Sequence, residues 1–187
     1  MNDPIPTPRS APRPCFPWPI LLGLVLAAVA ATGLFLTWRR PAAPPAVTAA
    51  GGAAPAFRLA SLEGRQLGPA DFPGQVVVIE FWATWCVPCH LQAEVLAEVH
   101  AGQRGSAVQF LAVSVGEEEG TVRAFTDKKP FAYPVLLDTA NEVADSFEVF
   151  TLPTIVVLDR QGRVVLKESG LVDARTIEKA VVGALAG

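Results

Sequence analysis

The chain has 187 residues, 51% of them apolar and 18% charged, with a formal net charge of −3. That apolar share is high for a wholly soluble protein and points to a membrane segment beside one folded unit. Residues 57–187 hold 11 basic against 17 acidic side chains, net −6, while the first 56 hold 4 Arg against 1 Asp; an acidic domain without a basic patch argues against nucleic acid as a partner.

Residues 1–19 form a Pro-rich tail (Pro4, Pro6, Pro8, Pro12, Pro14) that has too little apolar pattern to pack a core. Its Cys15 reads as an incidental thiol, with lipidation or an intermolecular disulfide as the alternatives. Residues 20–38 carry no charge and only Thr32 and Thr37 as polar side chains, bracketed by Trp18 and Trp38. At about 1.5 Å per residue this run nearly spans a hydrocarbon core of roughly 30 Å, with aromatic residues where the interfaces fall. It predicts a transmembrane anchor. A cleaved signal is the competitor, since Ala28-Val29-Ala30 and Val47-Thr48-Ala49 resemble cleavage sites, but the run exceeds the usual signal core of about 7–15 residues. Residues 39–56, built of Pro, Ala, Gly and Thr, read as a semi-extended linker. Residues 57–187 suffice for one compact domain, expected to be a monomer.

Within that domain, residues 57–74 predict a small strand pair broken at Glu63-Gly64 and Pro73-Gly74. Residues 76–82 are a near-continuous apolar run, the pattern of a strand covered on both faces. Residues 86–100 predict a helix with Leu91, Val95, Leu96 and Val99 at helical spacing, closed by Gly102. A buried strand at 108–115, a polar helix at 121–129 and a short strand at 134–137 ended by Asp138 come next. A helix at 141–147, a strand at 154–158, a turn at Arg160-Gln161-Gly162, a strand at 163–168 and a helix at 174–185 complete the chain. Alternating strands and helices followed by an antiparallel pair give an α/β domain with a mixed central sheet.

Cys86 and Cys89 stand three apart where the buried strand feeds the helix. A helix N-terminus offers unpaired N–H groups and partial positive charge, so a thiol there ionises more readily. Cys86 is therefore the candidate nucleophile, and Cys89, one turn on, is placed to resolve a mixed disulfide. Pro88 costs little in a first turn, where its missing N–H would be unpaired. The run Cys86-Val87-Pro88-Cys89-His90 also satisfies the attachment pattern of c-type haem, although Met1 is the only methionine. Zinc would need two further ligands, and a non-catalytic module holding copper(I) on two thiolates is a rival of another class. No cofactor is expected beyond a redox-active Cys86–Cys89 disulfide.

Glu80 is a carboxyl inside an apolar strand. Burial would raise its pKa and let it accept a proton from Cys89 during resolution; the competing reading is a strand-end residue whose head reaches water. Pro153, in Thr151-Leu152-Pro153-Thr154, precedes an apolar strand, and a cis bond there would present backbone at the dithiol for an extended substrate. Glu117-Glu118-Glu119 reads as a solvated charge run. Trp85 is a candidate substrate platform, whereas Trp82 reads as packing.

Together these residues resemble the thioredoxin superfamily, and within it the membrane-tethered TlpA/ResA-type branch, which includes thioredoxins of cytochrome c maturation. The resemblance spans residues 57–185 and rests on two motifs in order: Phe81-Trp82-Ala83-Thr84-Trp85-Cys86-Val87-Pro88-Cys89, and Leu152-Pro153-Thr154 about 65 residues later. It implies a thioredoxin-like fold with an extra helix and strand inserted within 121–137. It also implies that Cys86 attacks, Cys89 resolves, a cis Pro153 with Leu152, Trp85 and Pro88 contacts substrate, and Glu80 is the buried acid. His90 departs from the basic residue common after the second cysteine and reads as an exposed helix residue. The implied partners are disulfide-bearing proteins and a membrane-embedded donor such as a thiol-reductant transporter. The implied location is the extracytoplasmic, periplasmic side of the inner membrane. The Val-Pro dipeptide suggests a potential nearer the roughly −270 mV of thioredoxin than the roughly −120 mV of DsbA. A peroxidatic cysteine is not expected as the first of a Trp-Cys-x-Pro-Cys helix start.

Overall fold

A computed structural model of the chain describes residues 51–103 and 105–187. The predicted anchor at 20–38, the tail with Cys15 and most of the predicted linker lie outside these residues. No helix among the described residues is long and apolar enough to cross a membrane.

The domain begins earlier than residue 57. Gly51 donates to the Val164 carbonyl, Val164 donates to Gly52, and Ala53 forms an antiparallel bridge with Arg163. The last residues of the segment read as a free linker therefore pair with the sheet. Composition alone made these residues look like tether. Next comes the expected strand pair, β1 (Leu59–Ala60) antiparallel to β2 (Gln66–Leu67).

The central strand is β3 (Val76–Trp82), every residue of which is buried. It pairs parallel with β4 (Val108–Val115), which pairs parallel with β5 (Val135–Asp138). On its other side β3 runs antiparallel to β6 (Thr154–Leu158), which runs antiparallel to β7 (Val164–Ser169). The sheet order is β5-β4-β3-β6-β7, a mixed sheet as expected. Both faces of β3 are dry, which is why its sequence lacks polar alternation.

Among the described residues four α-helices cover the sheet: α1 (Val87–Gly102), α2 (Glu119–Thr126), α3 (Glu142–Ser146) and α4 (Ala174–Ala186). On one face Val76, Val78, Trp82, Phe110 and Ile155 pack against Leu96 and Val99 of α1 and Ile177 and Val181 of α4. On the other, Val77, Ile79, Phe81, Leu111 and Val156 pack against Val143, Ala144 and Phe147 around α3. Each large side chain so buried contributes roughly 1.5–3 kcal/mol. The segment expected to insert a helix and a strand supplies α2 and the edge strand β5. α2 starts two residues before its expected beginning and ends three before its expected end, and its buried Val122 fastens it to the first of these cores.

Helix α1 is rotated from its expected register. Leu91 is exposed, and the buried stripe is Cys89, Gln92, Leu96 and Val99. Turning Cys89 toward the sheet brings Gln92 in and Leu91 out, because residues three and four apart share a helix face. Gln92 is tolerated in the core because its amide is paired at both ends: Nε2 donates to the Val172 carbonyl at 3.1 Å, and Oε1 accepts from the Val172 N–H at 2.7 Å.

Candidate active site

β3 ends at Trp82, and residues 83–85 carry the chain over the sheet edge to Cys86, the N-cap of α1. The turn is closed by Cys86 N–H donating to the Ala83 carbonyl at 3.1 Å. Cys86 Sγ accepts from the Cys89 N–H at 3.3 Å, so the first sulfur sits among the unpaired donors of the helix mouth. Cys86 and Cys89 form a disulfide, with Cα atoms 5.3 Å apart. Both are buried, whereas the neighbouring Trp85 is 70% exposed and Val87 and Leu91 also face solvent. Pro88 is exposed and occupies the first turn of α1, where it removes only a donor that would be unpaired.

Pro153 arrives at this edge through sheet register. Thr154, the first residue of β6, pairs with Phe81, so the residue before it stands level with the exit of β3. The Leu152–Pro153 bond is cis. Leu152 is half-buried between both cores, and Phe150 projects as the most exposed large apolar side chain among the described residues, at 87%. Leu152 and Pro153 thus share one end of the sheet with Cys86, Cys89, Trp85 and Pro88. Phe150 was not singled out from sequence, since nothing in its neighbourhood marks it as outward-facing.

Glu80 does not reach water; it is 1% exposed. Alternation along β3 places it between Val78 and Trp82, on the face whose core includes both cysteines. Burial pushes its carboxyl up to about 8, against the opposing effect of the Tyr133 hydroxyl, which donates to Glu80 Oε2 at 3.1 Å. Glu80 Oε1 is buried with no hydrogen-bond partner. Burial and the adjacent carboxyl hold the Tyr133 phenol far above its usual range, so it stays a donor. Tyr133 is set among His100, Phe110 and Phe131. Trp82 packs on Phe125 and Phe131, with ring centroids 5.4 and 4.6 Å away, in the packing role expected for it.

Two sequence readings are corrected here. Glu117 is not part of a solvated charge run: it is buried, and its carboxylate accepts from the Thr84 N–H, the Thr84 hydroxyl and the Ser114 hydroxyl. Gly116, at φ 71°, turns the chain back so that this one glutamate points inward while Glu118 and Glu119 stay outside. His90 is not simply exposed: Nε2 lies 2.9 Å from the Thr84 carbonyl, and the ring packs on Phe125 at 4.9 Å. Nε2 must carry the proton to donate there. That commitment leaves it unavailable as an axial ligand and removes support for the haem reading of Cys-x-x-Cys-His. Among the described residues no group of three or more His, Cys, Asp or Glu side chains is gathered as a metal site.

A model of the AhpC/TSA family matches residues 50–167. The thiol-disulfide oxidoreductase ResA of Geobacillus thermodenitrificans is 34% identical over 116 residues, covering 62% of this chain and 67% of the relative. ResA of Bacillus subtilis is 33% identical over 120 residues, covering 64% and 67%. Among solved structures, a Chlorobium tepidum protein assigned as the thiol:disulfide interchange protein DsbE matches with a TM-score of 0.69 at 28% identity, covering 74% of this chain and 99% of that one. StoA of Bacillus subtilis, at 20% identity and a TM-score of 0.60 over 75% and 98% of the two chains, supports the fold alone. The chain belongs to the AhpC/TSA family, has a thioredoxin-like fold, and is a thiol-disulfide oxidoreductase.

Proposed function

We propose that the protein reduces disulfides in partner proteins outside the cytoplasm, with Cys86 as nucleophile and Cys89 as resolving thiol. The observation that carries this reading is the position of the dithiol: Cys86 caps α1 and its sulfur accepts a backbone N–H, beside exposed apolar side chains and the Pro153 segment. In the reduced protein the Cys86 thiolate attacks one sulfur of a substrate disulfide. That S–S bond breaks, a mixed disulfide forms and one substrate thiolate leaves. Cys89 then passes its proton to the Glu80 carboxylate and attacks Cys86 Sγ, which closes the Cys86–Cys89 disulfide and releases the second substrate thiolate. Two electrons have moved to the substrate. An external dithiol must return them, and a membrane-embedded thiol-reductant transporter is the class of donor that fits an exported domain.

The domain is tethered in this reading by residues 20–38, whose length and apolar character support a single-pass anchor in the inner membrane. Its substrates include proteins whose paired thiols must be free for haem attachment or copper-site assembly, a choice supported by the resemblance to thioredoxins of cytochrome c maturation. The protein acts as a monomer and needs no cofactor. Cys89→Ser in the full chain tests the scheme, because the mixed disulfide then has no resolving thiol. The expected result is a set of exported proteins captured through Cys86 and released by dithiothreitol. Capture of cytosolic proteins alone would refute the location, and no capture, with insulin reduction intact in Cys86→Ser, would refute the mechanism.

A further inference from the structure

The turn that delivers Cys86 is held by Glu117, on the loop after β4. Ser114, near the end of β4, pairs in register with Trp82, so that loop lies beside the point where β3 gives way to residues 83–85. From it Glu117 reaches Thr84 twice: Oε2 accepts the Thr84 N–H at 2.8 Å and Oε1 accepts the Thr84 hydroxyl at 2.5 Å. Ser114 donates to Oε2 at 3.0 Å, which fixes the rotation of the carboxylate. The Thr84 carbonyl is taken from the other side by His90, whose ring rests on Phe125 of α2. Every polar group of Thr84 is thereby engaged, its N–H and hydroxyl by Glu117 of the β4–α2 loop and its carbonyl by His90 of α1.

We propose that Glu117 is a positioning residue for the thiol-disulfide reaction: acting through Thr84, it fixes the turn that sets Cys86 at the mouth of α1. This rests on the reading of Cys86 as nucleophile. Its basis is hydrogen-bond geometry rather than charge, and that separates two substitutions. Glu117→Ala deletes all three acceptor contacts. Glu117→Gln keeps them, because its oxygen can face the Thr84 N–H and the Ser114 hydroxyl while its NH2 donates to Thr84 Oγ1, a hydroxyl able to accept. A residue that mattered for its charge would fail in both.

The test uses the full chain, with insulin reduction as one readout and alkylation of reduced Cys86 by iodoacetamide as the other, both well below the thermal midpoint of each variant. Displacing a nucleophile by up to about 1 Å from its working position should lower kcat/KM by about 10-fold to 100-fold in Glu117→Ala and change the alkylation rate at least about threefold. Glu117→Gln should stay within about threefold of the parent in both readouts. An alanine variant within about twofold of the parent overturns the proposal, as does a glutamine variant as impaired as the alanine one. Should Glu117→Ala fail to fold, Thr84→Val, which removes only the hydroxyl contact, takes its place: a loss of about threefold to 10-fold is expected, and an unchanged rate overturns the proposal. A parent protein inert toward insulin would count against the proposed function, and the alkylation rates would still decide the role of Glu117.

Discussion

Glu80→Gln should make the protein more stable, by an amount that grows as pH rises above about 4.5. In the folded chain the Glu80 carboxyl is raised from 4.5 to about 8, mainly because burial disfavours its charged form. Between those values the folded state holds a proton that the unfolded state has released, so stability is full below about pH 4.5, falls as pH rises through the window, and levels off above about 8. At about 1.4 kcal/mol per pH unit, the loss is on the order of 5 kcal/mol by pH 9. Glutamine cannot ionise and escapes it. Its oxygen can accept from Tyr133 as Oε2 does, but its NH2 then occupies the site of the unpaired Oε1, and an unsatisfied buried donor costs about 1–3 kcal/mol. The protonated carboxyl of the parent carries an unpaired O–H of the same kind, so that penalty cancels to within about 1 kcal/mol and the net gain should be about 4–6 kcal/mol at pH 9. Near pH 5 the protonated carboxyl has an unpaired O–H of its own, and the difference should shrink to about 1 kcal/mol or less. Urea unfolding of the oxidised proteins, followed by tryptophan fluorescence from pH 5 to pH 9, measures both curves. A difference that does not change with pH would refute the assignment of Glu80 as a buried, late-ionising acid, and so would a parent protein whose stability is flat across the window.

Tyr133→Phe should push the Glu80 carboxyl further up, since the phenol is the group that opposes burial; the alkaline shift would be read from the same stability profile, and an unmoved or lowered profile would contradict it. The variant should also slow resolution of the mixed disulfide near neutral pH, where less Glu80 carboxylate would be available to take the proton. Trp85→Ala removes a 70% exposed ring and should leave stability within about 0.5 kcal/mol of the parent while raising KM for protein disulfides more than it lowers kcat. An unfolding midpoint that drops sharply would show instead that the indole is part of the core.

Much of this architecture was readable because the determining signals are local. The apolar run at 76–82 has no polar alternation, and it became the strand buried on both faces. The dithiol and Pro153 each announce themselves by residue type and neighbours. Glu117 did not, because the three consecutive glutamates differ only in what Gly116 does to the backbone ahead of them. His90 and Gln92 were equally opaque. Their places depend on the rotation of α1 about its axis, which is fixed by turning Cys89 inward and not by the helix's own apolar pattern, where Leu91 looked the better core residue. Residues 51–54 were misread because small side chains look like linker by composition, and composition carries no sign of the backbone pairing with Arg163 and Val164.

The bridge between Ala53 and Arg163 fixes where the domain is handled from. Arg163 adjoins Val164, Val164 pairs with Leu158, and Leu158 pairs with Val77 at the start of β3, while the dithiol follows Trp82 at its finish. The whole length of that strand, roughly 20 Å, separates the chain's point of entry from its sulfurs. A tag or fusion partner joined ahead of Gly51 therefore attaches to the domain at the end of the sheet opposite its sulfurs.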